Sequence, residues 1–246
     1  MRLAAVLVVA LSGIAIARPA HKTRRRHSSE PIDRSRFSAP ADADQQPAVR
    51  YAALAQDACE AELTSRKIGF TREPAPGVRG GVRVTTPLHG VVFRTNDKDH
   101  GSSRYEITDC RLVLALDDFA KILATHDIVE VRHYSIYRAP PKSWPEGKLG
   151  SRHNGALAID AARFVKSDGS FLDVLQHFHG AIGAKTCGEG AGPHPVTPEA
   201  TEIREILCDA VAQHLFNVVL TPNYNRPHRN HFHLEITEGA HWFLVH

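Results

Sequence analysis

Near the end of the chain His231, His233 and Glu235 alternate with Phe232, Leu234 and Ile236. A strand sends successive side chains to opposite faces, so this pattern puts three polar groups on one face and three apolar groups into a core. The alternation closes the run His228-Arg229-Asn230-His231-Phe232-His233. An earlier stretch, Ser151-Arg152-His153-Asn154-Gly155-Ala156-Leu157-Ala158-Ile159-Asp160, sets a His and an Asp seven positions apart. Partners on one helical face sit three or four apart, so this spacing instead suits a loop histidine followed by a strand whose far end carries the Asp. Two imidazoles and a carboxylate are ligands for a borderline-soft divalent metal. Three protein ligands leave a fourth tetrahedral position for water, which marks a catalytic rather than a structural zinc site. The predicted ligands of one Zn²⁺ ion are His153, Asp160 and His233, with His231 beside them as the proton-transfer group. The chain has sixteen histidines, and one alone would carry little weight; the two motifs together carry the prediction.

Residues 1–17 read as a secretory signal peptide. Arg2 supplies the charged start, Leu3 to Ala17 the apolar run, and Ala15-Ile16-Ala17 before Arg18-Pro19 the small-x-small cleavage pattern. That run is shorter than the ~20 residues of a spanning helix, and Ser12 and Gly13 interrupt it. Export to the periplasm, cell envelope or medium is expected, without stable membrane insertion after cleavage. Residues 18–50 are rich in Arg, Lys, Ser, Pro, Asp and Gln, with a basic run from Lys22 to His27. So little apolar surface cannot offset the entropy of ordering, and a disordered linker is predicted. The net charge of +3 is too small to argue for a nucleic-acid partner.

Residues 51–246 have the length of one domain. The expected class is α+β, with a small, mainly antiparallel sheet carrying the metal site and helices flanking it. A helix is predicted from Tyr51 to Lys67, with Leu54, Ala58, Ala61 and Leu63 on its apolar face. Short strands follow at 82–84 and 90–93, then a polar loop at 96–103. Asp109 can cap a helix whose Leu112, Leu116, Phe119 and Leu123 repeat at core spacing. Ile128 to Tyr137 reads as a central strand. At its exit Arg138 can fork onto a carboxylate or steady an oxyanion. The segment 140–150, with Trp144, is read as an aromatic rim. Phe164 to Leu172 is a hairpin turning at Ser167-Asp168-Gly169. Thr197-Pro198-Glu199 opens a helix with a cap, a first-turn proline and an acid. Val218 to Leu220 is a strand that precedes the metal strand.

Cys59, Cys110, Cys187 and Cys208 are even in number in a chain read as exported, and none forms a Cys-x-x-Cys pair. Two disulfides are expected. Of three connectivities, Cys59–Cys110 with Cys187–Cys208 is favoured, because each closes one local loop.

Thr221-Pro222-Asn223-Tyr224-Asn225 leading into His228–His233, with Ser151-Arg152-His153 and Ala158-Ile159-Asp160, resembles the bacterial extensin-like C-terminal domain family. The likeness runs over about 51–240. The same metal pattern is similar to that of the LAS metallopeptidases (lysostaphin, D-Ala-D-Ala metallopeptidase and hedgehog types). In those a His, an Asp and the last His of His-x-His bind zinc, which the resemblance carries onto His153, Asp160 and His233. It also implies a substrate-binding role for Arg138 in Ser135-Ile136-Tyr137-Arg138, and makes His228 the upstream His of some members. Two positions depart: Tyr137 stands where a Cys often precedes the Arg, and Asn230 where an Asp is usual.

The expected chemistry is hydrolysis of peptide bonds in peptidoglycan or wall peptides by a monomer. A metal lowers the pKa of water from about 15.7 to about 7. His231 would take the proton and return it to the leaving amine, Arg138 would steady the carbonyl oxygen, and His228 would orient His231. No Gly-rich phosphate loop or nucleophile elbow is visible, which argues against a covalent acyl enzyme. Three rivals stand beside this reading. A wall- or protein-binding module with a structural or vestigial zinc site would have no use for a base. A metal store would need clustered histidines, and His89, His126, His177, His179 and His214 are scattered. An envelope amidase would use the same metal chemistry.

Overall fold

Phe119, Phe164, Phe178 and Phe232 come from distant parts of the chain and pack ring against ring, with Phe119 to Phe164 at 6.4 Å, Phe164 to Phe232 at 6.0 Å and Phe178 to Phe232 at 5.3 Å between centroids. All four are fully buried. Truncating any one to Ala costs about 3–5 kcal/mol, so this aromatic group is a principal anchor of the core. The computed structural model describes residues 36–96 and 101–246. The signal-peptide reading, and the linker reading up to residue 35, lie outside the described residues.

In chain order the elements are β1 (Phe37–Ser38), α1 (Pro47–Ala52), α2 (Gln56–Ser65), β2 (Phe70–Arg72), β3 (Gly81–Val84), β4 (Val92–Thr95), β5 (Thr108–Asp109) and α3 (Cys110–Thr125). There follow β6 (Ile128–His133), β7 (Ala158–Lys166), β8 (Phe171–Asp173), α4 (Val174–His177), α5 (Pro198–Ala212), β9 (Val218–Leu220), β10 (Phe232–Glu235) and β11 (Phe243–Val245). The main sheet has the order β1-β11-β9-β10-β7-β6-β4, with β8 also paired to β7; a smaller sheet has the order β2-β3-β5. Two pairs, β4 with β6 and β9 with β11, are parallel, and the others are antiparallel. The α+β expectation holds.

Helix α3 is the long apolar rod of the fold. Asp109 caps it, accepting from the Arg111 backbone at 3.1 Å, and the buried Arg111 guanidinium pairs with the same carboxylate at 2.8 Å. Leu112, Leu116, Phe119 and Leu123 are all buried, as their spacing predicts. Thr197 likewise caps α5, accepting from Ala200 N at 3.1 Å. Both favoured disulfides form: Cys59–Cys110 ties α2 to α3, and Cys187–Cys208 ties a long loop to α5.

Three readings are corrected. The single helix from Tyr51 to Lys67 is two helices; of the expected apolar face Leu63 is buried, Ala58 and Ala61 are exposed, and Cys59 and Glu60 are buried in α2 instead. The break lets each short helix dock on α3 separately: the Tyr51 phenol bonds Asp118, and Arg66 reaches Asp117 and Asp118. The linker reading fails over 37–50, because β1 pairs with β11 and Ala43, Ala48 and Val49 are buried. A short apolar set finds a ready surface there, which composition alone does not reveal. The strand from Ile128 ends at His133, after a register shift between Arg132 and His133, and lies next to the edge strand β4 rather than at the centre.

The sheet itself positions the functional face. Phe232 and Leu234 of β10 are fully buried and belong to the main core, as do Ala161 and Ile159 opposite them. Successive residues therefore turn the other way, and the register pairs His233 directly with Asp160.

Candidate metal centre

His153 sits in a one-turn 3-10 segment, Arg152–Gly155, just before β7. The turn is held by close backbone approach: a Cβ on Gly155 would lie 2.4 Å from the Gly150 carbonyl oxygen, and one on Gly150 would lie 2.6 Å from the Asn154 carbonyl carbon. Only glycine fits either position. Arg152, the first residue of the segment, and Ala156, the residue after it, have φ of 50° and 54°. Non-glycine residues there cost of order 1–3 kcal/mol each, a strain that clusters at functional sites.

The turn brings His153 onto the β7–β10 pair. His153 Nε2 lies 3.1 Å from Asp160 Oδ1, His233 Nδ1 lies 3.1 Å from the same oxygen, and the two nitrogens are 3.3 Å apart. All three residues are buried or nearly so. Among the described residues this is the one group of three or more His, Cys, Asp or Glu side chains that could hold a metal ion. A tetrahedral ion with arms of about 2.0 Å has edges of about 3.3 Å, so the spacing of the three atoms fits Zn²⁺.

The outward ring nitrogens fix the rings. His153 Nδ1 lies 2.9 Å from the Ile136 carbonyl oxygen, an acceptor, so it donates there and leaves the Nε2 lone pair facing inward. His233 Nε2 lies 3.0 Å from Glu235 Oε2 and donates likewise, leaving Nδ1 inward. Glu235 is itself held by Thr237 at 2.9 Å and Arg152 at 3.5 Å. Metal-binding histidines are characteristically oriented in this way by a carbonyl or carboxylate on the far nitrogen. Asp160 gives its other oxygen to Arg138 Nη2, while Arg138 Nε donates to Ser135 Oγ at 2.8 Å. Arg138 thus divides its guanidinium between the Asp160 carboxylate and the Ser135 hydroxyl instead of forking onto the carboxylate alone, and its Nη1 has no protein partner among the described residues.

Three acceptors around one point call for positive charge, and the ionisation tendencies agree. Burial pushes the Asp160 carboxyl up, but the His153 and His233 imidazoles hold it well below the usual carboxylate range. Burial pushes His233 down, yet its bonds to Asp160 and Glu235 leave it above the ordinary histidine value. A shared proton or a cation satisfies the same place.

His231 stands just before β10. Its Nδ1 lies 3.0 Å from Asn230 Oδ1, and its Nε2 faces Asp160 Oδ1 at 3.5 Å. Asn230 in turn donates to the Tyr134 hydroxyl at 2.9 Å. Burial keeps the His231 imidazole below its ordinary value, so it is neutral near pH 7. His228 is 5.1 Å from His231 between ring centroids, and its Nδ1 is 2.7 Å from Asn225 Oδ1. Burial, reinforced by His231 and His233, pushes it down to about 4. All six residues singled out in the sequence therefore lie in one linked cluster. Trp144 does not join it: its indole donates to Lys148 O at 2.8 Å, within its own loop.

Sequence reasoning missed the supporting residues. Glu235 was legible as a member of the polar face, though not as the partner of His233. Ile136 acts through a backbone carbonyl, which leaves no trace in sequence. His133 was also missed: it is fully buried beside Ala161 and Thr95, with neither ring nitrogen hydrogen-bonded.

Comparison with known proteins gives one match. The family model for the extensin-like protein C-terminus aligns with residues 57–244, a span that contains every residue of this cluster. No curated protein and no solved structure matches. The aligned span is most of the 246 residues, and the chain therefore belongs to the extensin-like protein C-terminus family.

Proposed function

We propose that the chain is an exported zinc-dependent hydrolase that cuts peptide bonds of peptidoglycan or wall peptides, with a ligand arrangement of the LAS-peptidase kind. The observation that carries this is the triangle of inward acceptors from His153, Asp160 and His233, each ring braced on its far nitrogen. Two disulfides agree with an oxidising, extracytoplasmic setting. No helix among the described residues is long and apolar enough to cross a membrane.

When bound, Zn²⁺ supplies Lewis acidity, which acidifies water and polarises the scissile carbonyl. The remaining work belongs to the side chains. His231 Nε2, neutral and held by Asn230, accepts a proton from the attacking water and returns it to the leaving amine. Arg138 fixes Asp160 through Nη2 and offers Nη1 to the carbonyl oxygen as charge develops. His228, anchored by Asn225, keeps the His231 ring in place. The substrate is met as a monomer.

The test is release of soluble fragments from purified peptidoglycan by the zinc-loaded protein, followed by mass spectrometry. Fragments that disappear on chelation and return with zinc support the proposal. A protein that holds zinc and binds wall polymer but frees no fragment is instead a binding module.

A further inference from the structure

A cavity of about 440 Å³ adjoins the cluster. Asn225 belongs to both: it lines the cavity and accepts from His228. One wall is the turn carrying Arg226 and Arg229, and the other is the loop after α4, with His179 and His194. Leu175, Phe178 and Ile182 supply apolar surface; Leu175 and Ile182 are exposed, at 58 % and 62 %.

The charge of this cavity is one-sided. No acidic side chain lines it. The carboxylates close by are already engaged: Asp173 accepts from the Leu175 backbone at 3.0 Å and pairs with Arg163, and Glu199, in the first turn of α5, interacts with His177 and His179. Elsewhere Arg66, Arg83, Arg111 and Arg163 each meet a carboxylate, but Arg226 and Arg229 meet none among the described residues. Both are exposed. Behind the Phe178–His179 wall, Arg204 is 6 % exposed, packs 4.0 Å over the Phe178 ring and donates to the carbonyls of Phe178, His179 and Thr186. Arg204 does not line the cavity, but it holds the Phe178 and His179 backbone that does.

The loop wall is also fixed in place. Buried Asn223 accepts from Ala181 N at 2.9 Å and donates to Thr186 Oγ1 at 3.2 Å, while Cys187–Cys208 pins the loop to α5. A site built on anchored backbone needs little reorganisation to bind.

We propose that this cavity is a substrate subsite for an acidic residue of the peptide, its carboxylate forked by Arg226 and Arg229 and its aliphatic stem laid on Leu175, Phe178 and Ile182. Charge-assisted bonds from guanidinium to carboxylate are about twice as strong as neutral ones, and their planar fork selects a carboxylate over an amide. The inference rests on the peptide substrate of the proposed function, but its test needs no bond cleavage.

The zinc-loaded full chain is titrated with two synthetic peptides, acetyl-Ala-Ala-Glu-Ala-Ala-amide and its Gln counterpart, by isothermal calorimetry. The Glu peptide is expected to bind about tenfold more tightly. In the doubly substituted Arg226→Ala, Arg229→Ala protein the preference should drop below about twofold; Arg226→Gln and Arg229→Gln singly carry the same test should the double variant not fold. Equal affinity for the two peptides, no binding of either, or a preference that survives the substitutions overturns the subsite. If the preference holds while wall fragments are never released, the hydrolase reading fails and the subsite stands.

Discussion

The inward nitrogens of His153 and His233 stand 3.3 Å apart, and each ring donates in the opposite direction, to the Ile136 carbonyl and to Glu235. Two lone pairs so directed, with the Asp160 oxygen 3.1 Å from both, repel unless something positive lies between them. His153→Ala, Asp160→Ala and His233→Ala should therefore each abolish stoichiometric zinc, measured by native mass spectrometry. Full metal content in all three variants would remove the assignment.

Glu235 tests the outer layer of the same site. Its carboxylate orients His233 without reaching the centre, so Glu235→Ala should keep the site and weaken it. Loss of such a partner typically costs about 10–100-fold in metal affinity. Competition with a chromogenic chelator reads this directly, and unchanged affinity would deny Glu235 its orienting role.

The disulfides give a prediction about stability. Thiol titration of the denatured, unreduced protein should find no free thiol. Removing either bridge should cost on the order of 2–5 kcal/mol. Cys59–Cys110 spans 51 residues and Cys187–Cys208 spans 21, so chain entropy makes loss of the first costlier by about 0.8 kcal/mol. Urea melts of the two double-serine variants would show a reversed order if native strain outweighed entropy.

His133 predicts a pH dependence. Complete burial pushes its imidazole down to about 3, against an ordinary value of 6.5. Between those pH values the unfolded chain binds a proton on this residue that the folded chain refuses. Stability from this group is therefore intact above pH 6.5 and falls as acid is added, by up to about 1.4 kcal/mol per pH unit. With chelator present, His133→Leu should flatten the acid limb of the stability curve relative to wild type. Parallel curves would mean that residue 133 finds a partner when protonated.

The sequence made some of this legible and concealed the rest for physical reasons. The alternation from His231 to Ile236 is a strand signal and an orientation signal together, so it placed His233 opposite the apolar face before any pairing was known. The Asp109 and Thr197 caps and the two disulfides were equally readable, because each rests on local rules. What escaped depends on distant neighbours. The docking of 37–52 needs the surface of α3 and the edge of β11, and the split of the first helix needs Asp117 and Asp118. The buried state of His133 follows from strands β4 and β7 on either side of it, which no short window contains.

One experiment tests most directly whether the triangle of His153, Asp160 and His233 serves hydrolysis with His231 as the proton-transfer group. Fragment release from peptidoglycan is followed for wild type and His231→Ala, with zinc content measured on the same samples. Wild type should release fragments, and His231→Ala should keep its zinc while losing about 10²–10⁴ in rate. Loss of zinc together with activity in His231→Ala would make His231 a ligand and contradict its assigned role. No release by the zinc-loaded wild type would contradict the claim of catalysis.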